Sequence, residues 1–262
     1  MKRYLRISKS RLYFYSIGGA LLGVPKAIAA MTSGEMKDTA ELNPVFFHIK
    51  ENLLSRLDLM LMFRSFGSLP SMFPKGGKYF WGSEDLPAPD GSVNNMISFV
   101  DTWSNINISD PNFDARCNSS VGTDIQVDFM MRRNLISNKS SSECFKFLKQ
   151  FAPNYASLVE DHYSFGAFYK PEYRSNERYW TNPLESVLPN APSMSIYSLY
   201  GVGKPTERSY FYKADSTETC SSIPFVIDNS VHQPERNFSY GVVLGEGDGT
   251  VPVRQKLIVC CD

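Results

Sequence analysis

The sequence predicts an α/β fold, and three observations carry that expectation. Residues 13–17 and 194–200 are aromatic and β-branched enough to read as core strands, the second of them apolar on both faces as a buried parallel strand is. Between them, apolar residues recur at three- and four-residue steps, the period of a helix face. Near the end, Glu246-Gly247-Asp248-Gly249-Thr250-Val251-Pro252 holds a carboxylate between two glycines, directly after the apolar run Val242, Val243 and Leu244. An α/β-hydrolase places the acid of a Ser–Asp–His triad in such a loop, and that fold presents its triad in the chain order nucleophile, acid, histidine. Asp248 is therefore the candidate catalytic residue.

Taken in order, the chain begins with Lys2, Arg3, Arg6, Lys9 and Arg11 ahead of an apolar stretch at 12–24, and Ala27-Ile28-Ala29 resembles a cleavage site. The segment passes as a signal peptide, though too short and Gly-rich for a membrane span. The competing reading is a buried strand that Gly18-Gly19 breaks. Asn43-Pro44 reads as a helix start, with Phe46, Ile49, Leu53, Leu57 and Met60 on one core-facing side and Gly67 as the stop. From Gly67 to about Ser142 the composition turns to Ser, Asn, Pro, Gly and Asp, a stretch far longer than an ordinary connection, as lids and disordered insertions are.

Ser140-x-x-Glu143 reads as a capping box opening a helix with Cys144, Phe147, Leu148 and Phe151 on one side, ended by Pro153. The strand at 194–200 is closed by Gly201-Val202-Gly203-Lys204-Pro205. A short strand at 210–212 and another at 239–244 lead to Asp248.

Composition excludes several classes. Lys+Arg and Asp+Glu are both 27, so a balanced charge gives no electrostatic argument for nucleic acid. Cys117, Cys144, Cys220, Cys260 and Cys261 show no ligand spacing, and no phosphate loop, H-E-x-x-H or EF-hand pattern occurs, so neither metal nor cofactor is expected. Four N-x-S/T sequons, at Asn107, Asn118, Asn138 and Asn237, favour a lumenal or secreted location. Aromatic residues make up 13% of the chain, which suits either an apolar substrate or an aromatic core. Phe66, Phe73, Tyr79, Phe80 and Trp81, in the lid-like stretch, are candidates for touching acyl chains or a bilayer, against ordinary packing beneath a loop. Asp215, Asp228 and the Glu84-Asp85 pair sit in polar sequence and are expected on solvated surface.

Six blocks in order carry a family likeness: residues 19–27, beginning Gly19-Ala20-Leu21-Leu22-Gly23-Val24-Pro25; Ser33-Gly34-Glu35-Met36-Lys37-Asp38-Thr39; Leu69-Pro70-Ser71-Met72-Phe73-Pro74-Lys75-Gly76; Tyr163-Ser164-Phe165-Gly166; Tyr200-Gly201-Val202 with Pro205-Thr206-Glu207-Arg208; and the Asp248 loop. In these blocks the chain resembles the phospholipid:diacylglycerol acyltransferases, the fungal ones most, within the lecithin:cholesterol acyltransferase family. The resemblance implies an α/β-hydrolase core with a large cap between two late strands: a partial core strand and Gly-Pro turn in 1–30, the cap in 31–190, and the return to the core with the acid loop in 191–262. Residues 1–11 and 253–262 are set apart as atypical.

The resemblance further implies phospholipid and diacylglycerol as substrates, a membrane surface at the lumenal face of the endoplasmic reticulum, and transfer of a fatty acyl group through a serine acyl-enzyme. It leaves oligomeric state open. Asp248 maps onto the family acid. No Gly-x-Ser-x-Gly occurs, only fourteen residues follow Asp248, and His48, His162 and His232 all precede it. The expectation is therefore a fragment with an incomplete central sheet, inactive alone. The alternatives are a non-enzymatic lumenal glycoprotein or lipid-binding cap, and a chain that does not fold stably by itself.

Overall fold

The computed structural model describes residues 12–41, 53–83, 85–89, 91, 95–99, 141–187, 191–214 and 225–253. Both anticipated core strands form. They are β1 (Leu12–Ile17) and β3 (Met194–Leu199), paired in parallel with Leu12 opposite Met194 and Ile17 opposite Leu199. Their burial differs from expectation: Phe14, Tyr15, Ile17, Tyr197 and Leu199 are all exposed. Apolar composition set the strand conformation, but burial requires a layer against each face, which these two strands do not meet among the described residues.

After β1 the chain turns through Gly23 into α1 (Pro25–Ser33), with proline in the first turn where no N–H is needed and Gly34 closing it in the left-handed region at φ 70°. Gly34 also permits a close approach, since a Cβ there would lie 2.3 Å from the Arg56 carbonyl oxygen. A short α2 (Lys37–Ala40) follows.

The expected helix start at Asn43-Pro44, with Phe46 and Ile49, falls outside the described residues. The described helix is α3 (Arg56–Ser65), opened by a capping box in which Ser55 accepts from the Asp58 amide and Asp58 accepts from the Ser55 amide. Its buried side is Arg56, Leu59 and Met60, whereas Leu53 and Leu57 are exposed. Among the described residues of the predicted face, only Met60 is in the core.

The long polar stretch contains structure that its composition hid. A 3-10 turn at Leu69–Met72, the helix α4 (Gly77–Trp81) and the strand β2 (Ile97–Phe99) lie within it. Phe73 and Trp81 are core residues, at 1% and 4% exposure, while Phe66 and Tyr79 are exposed. The first pair therefore packs rather than faces lipid.

The helix α5 (Ser141–Phe151) buries Cys144 and Leu148 as expected, and Phe145 as well. Ser140, with its proposed cap, and the side chains of Phe147 and Phe151 lie outside the described residues. Pro153 does not simply end α5. It starts α6 (Pro153–His162), occupying the first turn as Pro25 does in α1. A 3-10 turn at Pro171–Ser175 and the short α7 (Glu177–Trp180) complete the helical part.

The remaining strands build a second sheet. In it β4 (Lys204–Ala214) pairs in parallel with β2 and antiparallel with β5 (Phe225–Ile227) and β7 (Val242–Gly247); β6 (Phe238–Ser239) pairs with β7. The expected strand at 239–244 is thus two strands joined by the turn Tyr240-Gly241. Both turn residues have positive φ, 49° and 83°, as a two-residue hairpin matched to strand twist needs.

The expected short strand at 210–212 lies in the second half of an eleven-residue one. A bulge between Glu207 and Ser209 resets its alternation. Residues three apart face opposite sides of a regular strand, yet here the Tyr210 hydroxyl donates to Glu207 Oε2 at 2.8 Å. Tyr210 and Tyr212 are fully buried, and one hydrophobic cluster joins them to Leu22, Ile28, Phe73 and Val242. The Tyr212 and Ser33 hydroxyls are hydrogen-bonded at 3.0 Å, tying β4 to α1.

Asp228, expected at the surface, is 2% exposed. Its carboxylate accepts from the Ser230 amide and hydroxyl and pairs with Lys213 Nζ at 3.1 Å. Burial alone would raise its pKa, but those bonds outweigh it and hold the group below its ordinary value. Polar surroundings in sequence did not reveal that a cross-strand lysine compensates the charge. Asp85 is exposed as expected, and Asp215 and Glu84 lie outside the described residues.

Lys75 is 2% exposed, its ammonium donating to the Ser71 carbonyl, and burial lowers its pKa to about 8. Between that value and the ordinary lysine pKa of 10.5 the unfolded chain binds more protons than the folded one, so stability rises with pH there. Tyr155, raised to about 12 chiefly by burial, works in the opposite direction above pH ~10. The urea midpoint is expected to climb between pH ~8 and ~10 and to flatten in Lys75→Met. A parallel climb in that variant would assign the effect to another group.

Candidate active site

Asp248 immediately follows β7, but its surroundings come from the other sheet. The turn Gly247-Asp248-Gly249 brings the side chain against the ends of both β1 and β3. A Cβ added to Gly201 would sit 3.0 Å from the Asp248 Cβ, and one added to Gly18 would sit 3.8 Å from Asp248 Oδ2. The Gly18 amide donates to the Leu199 carbonyl at 2.8 Å, so the two strand ends meet where the carboxylate lies. Strand ends at the carboxyl edge of a parallel pair are where α/β folds assemble ligand and catalytic sites.

The carboxylate is oriented by its own loop. Asp248 Oδ1 accepts from the Thr250 amide at 3.0 Å and the Val251 amide at 2.8 Å. These bonds hold one oxygen inward on the loop, while Oδ2 faces Gly18. Gly249 adopts φ 98°, a conformation that side-chain-bearing residues rarely tolerate, which allows the reversal after Asp248. Asp248 is half-buried. The arrangement leaves a charged acceptor partly shielded from water, able to receive a ring N–H from an imidazole and to stabilise it once protonated.

The loop is anchored from outside by Thr206 on β4, whose hydroxyl accepts from the Gly249 amide at 2.8 Å and donates to the Lys204 carbonyl at 3.0 Å. Its neighbours reach elsewhere. Glu207 Oε1 accepts from the Lys37 amide at 2.6 Å, opening α2, and burial pushes the Glu207 carboxyl above its ordinary pKa against the opposing pull of the Tyr210 hydroxyl. Arg208, at the bulge, donates to the Trp81 carbonyl at 2.7 Å and lies 5.0 Å over the Trp81 ring. One run of three residues thus ties together the Asp248 loop, α2 and α4.

A second buried polar cluster holds the Tyr163-Ser164-Phe165-Gly166 block. Glu185 Oε2 accepts from the Ser164 hydroxyl, the Gly166 amide at 3.1 Å and Asn182 Nδ2 at 2.9 Å. Ser164, Asn182 and Glu185 are all nearly inaccessible to solvent, and Phe165 packs edge-on against Phe73 at 5.3 Å. This cluster positions a core aromatic and offers no exposed nucleophile.

Of the histidines, His162 ends α6 at the surface, His232 is exposed and stacks on the Tyr240 ring at 4.2 Å, and His48 falls outside the described residues. Asn237 is exposed, in the turn before β6; Asn107, Asn118 and Asn138 lie outside the described residues. No cluster of metal-ligating side chains occurs among the described residues, and no described helix is long and apolar enough to cross a membrane.

Sequence reasoning named Asp248 and the glycines flanking it. It missed the part played by Thr206 and by Gly18, although both lie in or beside the blocks singled out above. The signal that would have found Thr206 is its place in a polar run, Pro205-Thr206-Glu207-Arg208, inside a strand otherwise rich in aromatics.

The family model described as lecithin:cholesterol acyltransferase matches residues 11–262, including the stretch 253–262 that the sequence reading set apart. The chain is 35% identical over 245 residues to a protein of Saccharomyces cerevisiae named phospholipid:diacylglycerol acyltransferase, covering 92% of this chain and 32% of that protein. A Schizosaccharomyces pombe protein of the same name is 34% identical, covering 94% of this chain and 35% of its own length. Phospholipid:diacylglycerol acyltransferase 1 of Arabidopsis thaliana is 33% identical, over 94% of this chain and 44% of its own length. The chain therefore spans about a third of the length of the fungal relatives it matches.

Proposed function

Because the chain belongs to the lecithin:cholesterol acyltransferase family, we propose that it is the acid-bearing portion of an acyltransferase that moves a fatty acyl group from a phospholipid to diacylglycerol. The observation that carries the reading is the place of Asp248, at the ends of a parallel strand pair with its carboxylate held by two backbone amides. The printed names of the relatives supply the two substrates.

In this reading a serine hydroxyl attacks the sn-2 ester carbonyl while a histidine takes its proton. The ester C–O bond breaks, and the histidine returns the proton to the departing lysophospholipid oxygen. The diacylglycerol hydroxyl then attacks the acyl-serine, giving triacylglycerol and restoring the serine. Asp248 stays ionised throughout, fixing the histidine tautomer and stabilising the imidazolium. These 262 residues hold no Gly-x-Ser-x-Gly and no histidine after Asp248, so by themselves they are expected to be inert. The core of the fold is an α/β-hydrolase core carrying a cap between β1 and β3. Its location at the lumenal face of the endoplasmic reticulum is supported by the accessible sequon at Asn237.

The test is label transfer by the purified full-length protein, with phospholipid labelled in the sn-2 acyl chain and vesicles containing diacylglycerol. Label in triacylglycerol, matched by lysophospholipid, is the expected result. Label only in free fatty acid would make the protein a hydrolase, and the acceptor assignment would be wrong.

A further inference from the structure

We infer that Thr206 is a positioning residue for Asp248, acting through the Gly249 amide; this rests on the reading of Asp248 as the triad acid. Thr206 is 1% exposed and both its hydrogen-bonding functions are used, one accepting from the Gly249 amide at 2.8 Å and one donating to the Lys204 carbonyl at 3.0 Å. One contact is on β4 itself and the other in the turn just past the end of β7, where Lys204 lies opposite Gly247 in the β4–β7 ladder. The hydroxyl therefore continues the ladder by one bond beyond the point where β7 ends and the chain reverses.

The packing has room for this residue type and little else. A Cβ on Gly247 would lie 2.3 Å from the Thr206 hydroxyl oxygen, so the hydroxyl fills the space that the glycine leaves open. Gly249 itself is at φ 98°, which glycine reaches readily along with many other conformations, so a bond from outside the loop narrows that freedom to one orientation. On the far side of the same turn, Asp248 holds the Thr250 and Val251 amides. The turn is thus pinned on both sides of the aspartate, internally by the carboxylate and externally by Thr206. Without the outer bond, the Gly249 peptide is free to rotate, and the carboxylate loses its fixed aim across the ends of β1 and β3. A misaimed carboxylate weakens its bond to an imidazole without altering where lipid binds.

Thr206→Val removes the hydroxyl while keeping the branched shape that a strand favours, and Thr206→Ser keeps the hydroxyl and drops only the methyl. Two readouts are used in the full-length protein: hydrogen exchange of the Gly249 amide with the carboxyl carbon-13 shift of Asp248, and kcat with KM for phospholipid. The expected result in Thr206→Val is Gly249 exchange at least tenfold faster, a displaced Asp248 signal, and kcat lowered at least tenfold with KM within twofold. Thr206→Ser is expected to return exchange and kcat to within about threefold of the parent. Unchanged Gly249 exchange and Asp248 shift in Thr206→Val would overturn the inference. So would a Thr206→Ser variant that behaves like valine, since that would assign the effect to packing. The failure of the acid reading shows separately: Asp248→Asn would then leave transfer intact whatever Thr206→Val does to the loop.

Discussion

Asp248→Asn in the full-length protein is expected to lower acyl transfer by about 10⁴-fold, the cost of the analogous change in intact triads. The substitution is nearly isosteric. The amide oxygen of asparagine can still accept from the Thr250 and Val251 amides, so the loop keeps the two bonds that shape it. What disappears is the charge, together with the acceptor that selects one histidine tautomer. The side-chain NH₂ would present donors where a ring N–H must also donate. Stability is expected to change by no more than about 1 kcal/mol, the scale of a hydrogen bond weakened by loss of charge. The measurement is label transfer beside a urea unfolding curve. A variant within tenfold of the parent would remove Asp248 from the mechanism, and Thr206 would then merely shape a loop.

The largest expected effect on stability lies elsewhere. Glu35 and Arg56 are 4% and 7% exposed, and Arg56 Nη1 lies 3.9 Å from Glu35 Oε2, which also accepts from the Ile227 amide at 2.9 Å. Glu35 links the end of α1 to the start of α3 and to β5. Glu35→Ala strips a buried guanidinium of this carboxylate and an amide of its acceptor, a loss expected to cost about 3–5 kcal/mol. That is a large share of the stability of an ordinary domain. Replacing both partners, Glu35→Ala with Arg56→Met, is expected to recover much of the loss, because a buried ion pair is costly to break singly and often neutral to exchange for apolar groups. Urea denaturation of the single and double variants checks both statements. A single-variant loss below about 1 kcal/mol would mean that solvent reaches the pair.

These two carboxylates show what a short motif does and does not convey. Asp248 stands between glycines after an apolar run, a local pattern with a chemical reason for each residue, so its loop is legible in the sequence while its role is what Asp248→Asn tests. Glu35 sits in an equally recognisable block, yet its partners Arg56 and Ile227 lie far along the chain, and nothing local announces them. The polar neighbours of Asp228 in sequence point to the surface, yet it is buried, with Lys213 on the adjacent strand compensating its charge. The bulge that places Glu207 and Tyr210 on one side of β4 was equally invisible. It is a property of how β4 registers against β7, not of either strand alone.

Helix boundaries divide in the same way. Pro153 reads locally as a stop, and it also opens α6, since proline ends one helix and begins the next by the same lack of an N–H. The strand β2 escaped notice because it is three residues long in polar surroundings and exists only through pairing with β4.

By itself, the sequence determined the conformations of β1 and β3, the helix that carries Cys144 and Leu148, and a Gly-flanked Asp248 loop within a recognisable family pattern. Those properties depend on side-chain shape and backbone freedom over a few neighbouring residues. Tertiary structure alone decided which apolar faces are buried, that the Asp248 carboxylate meets the ends of two strands from a different sheet, and that Thr206 tethers its loop. Each of those needs groups distant in the chain to come within bonding distance, and only the packed fold brings them there.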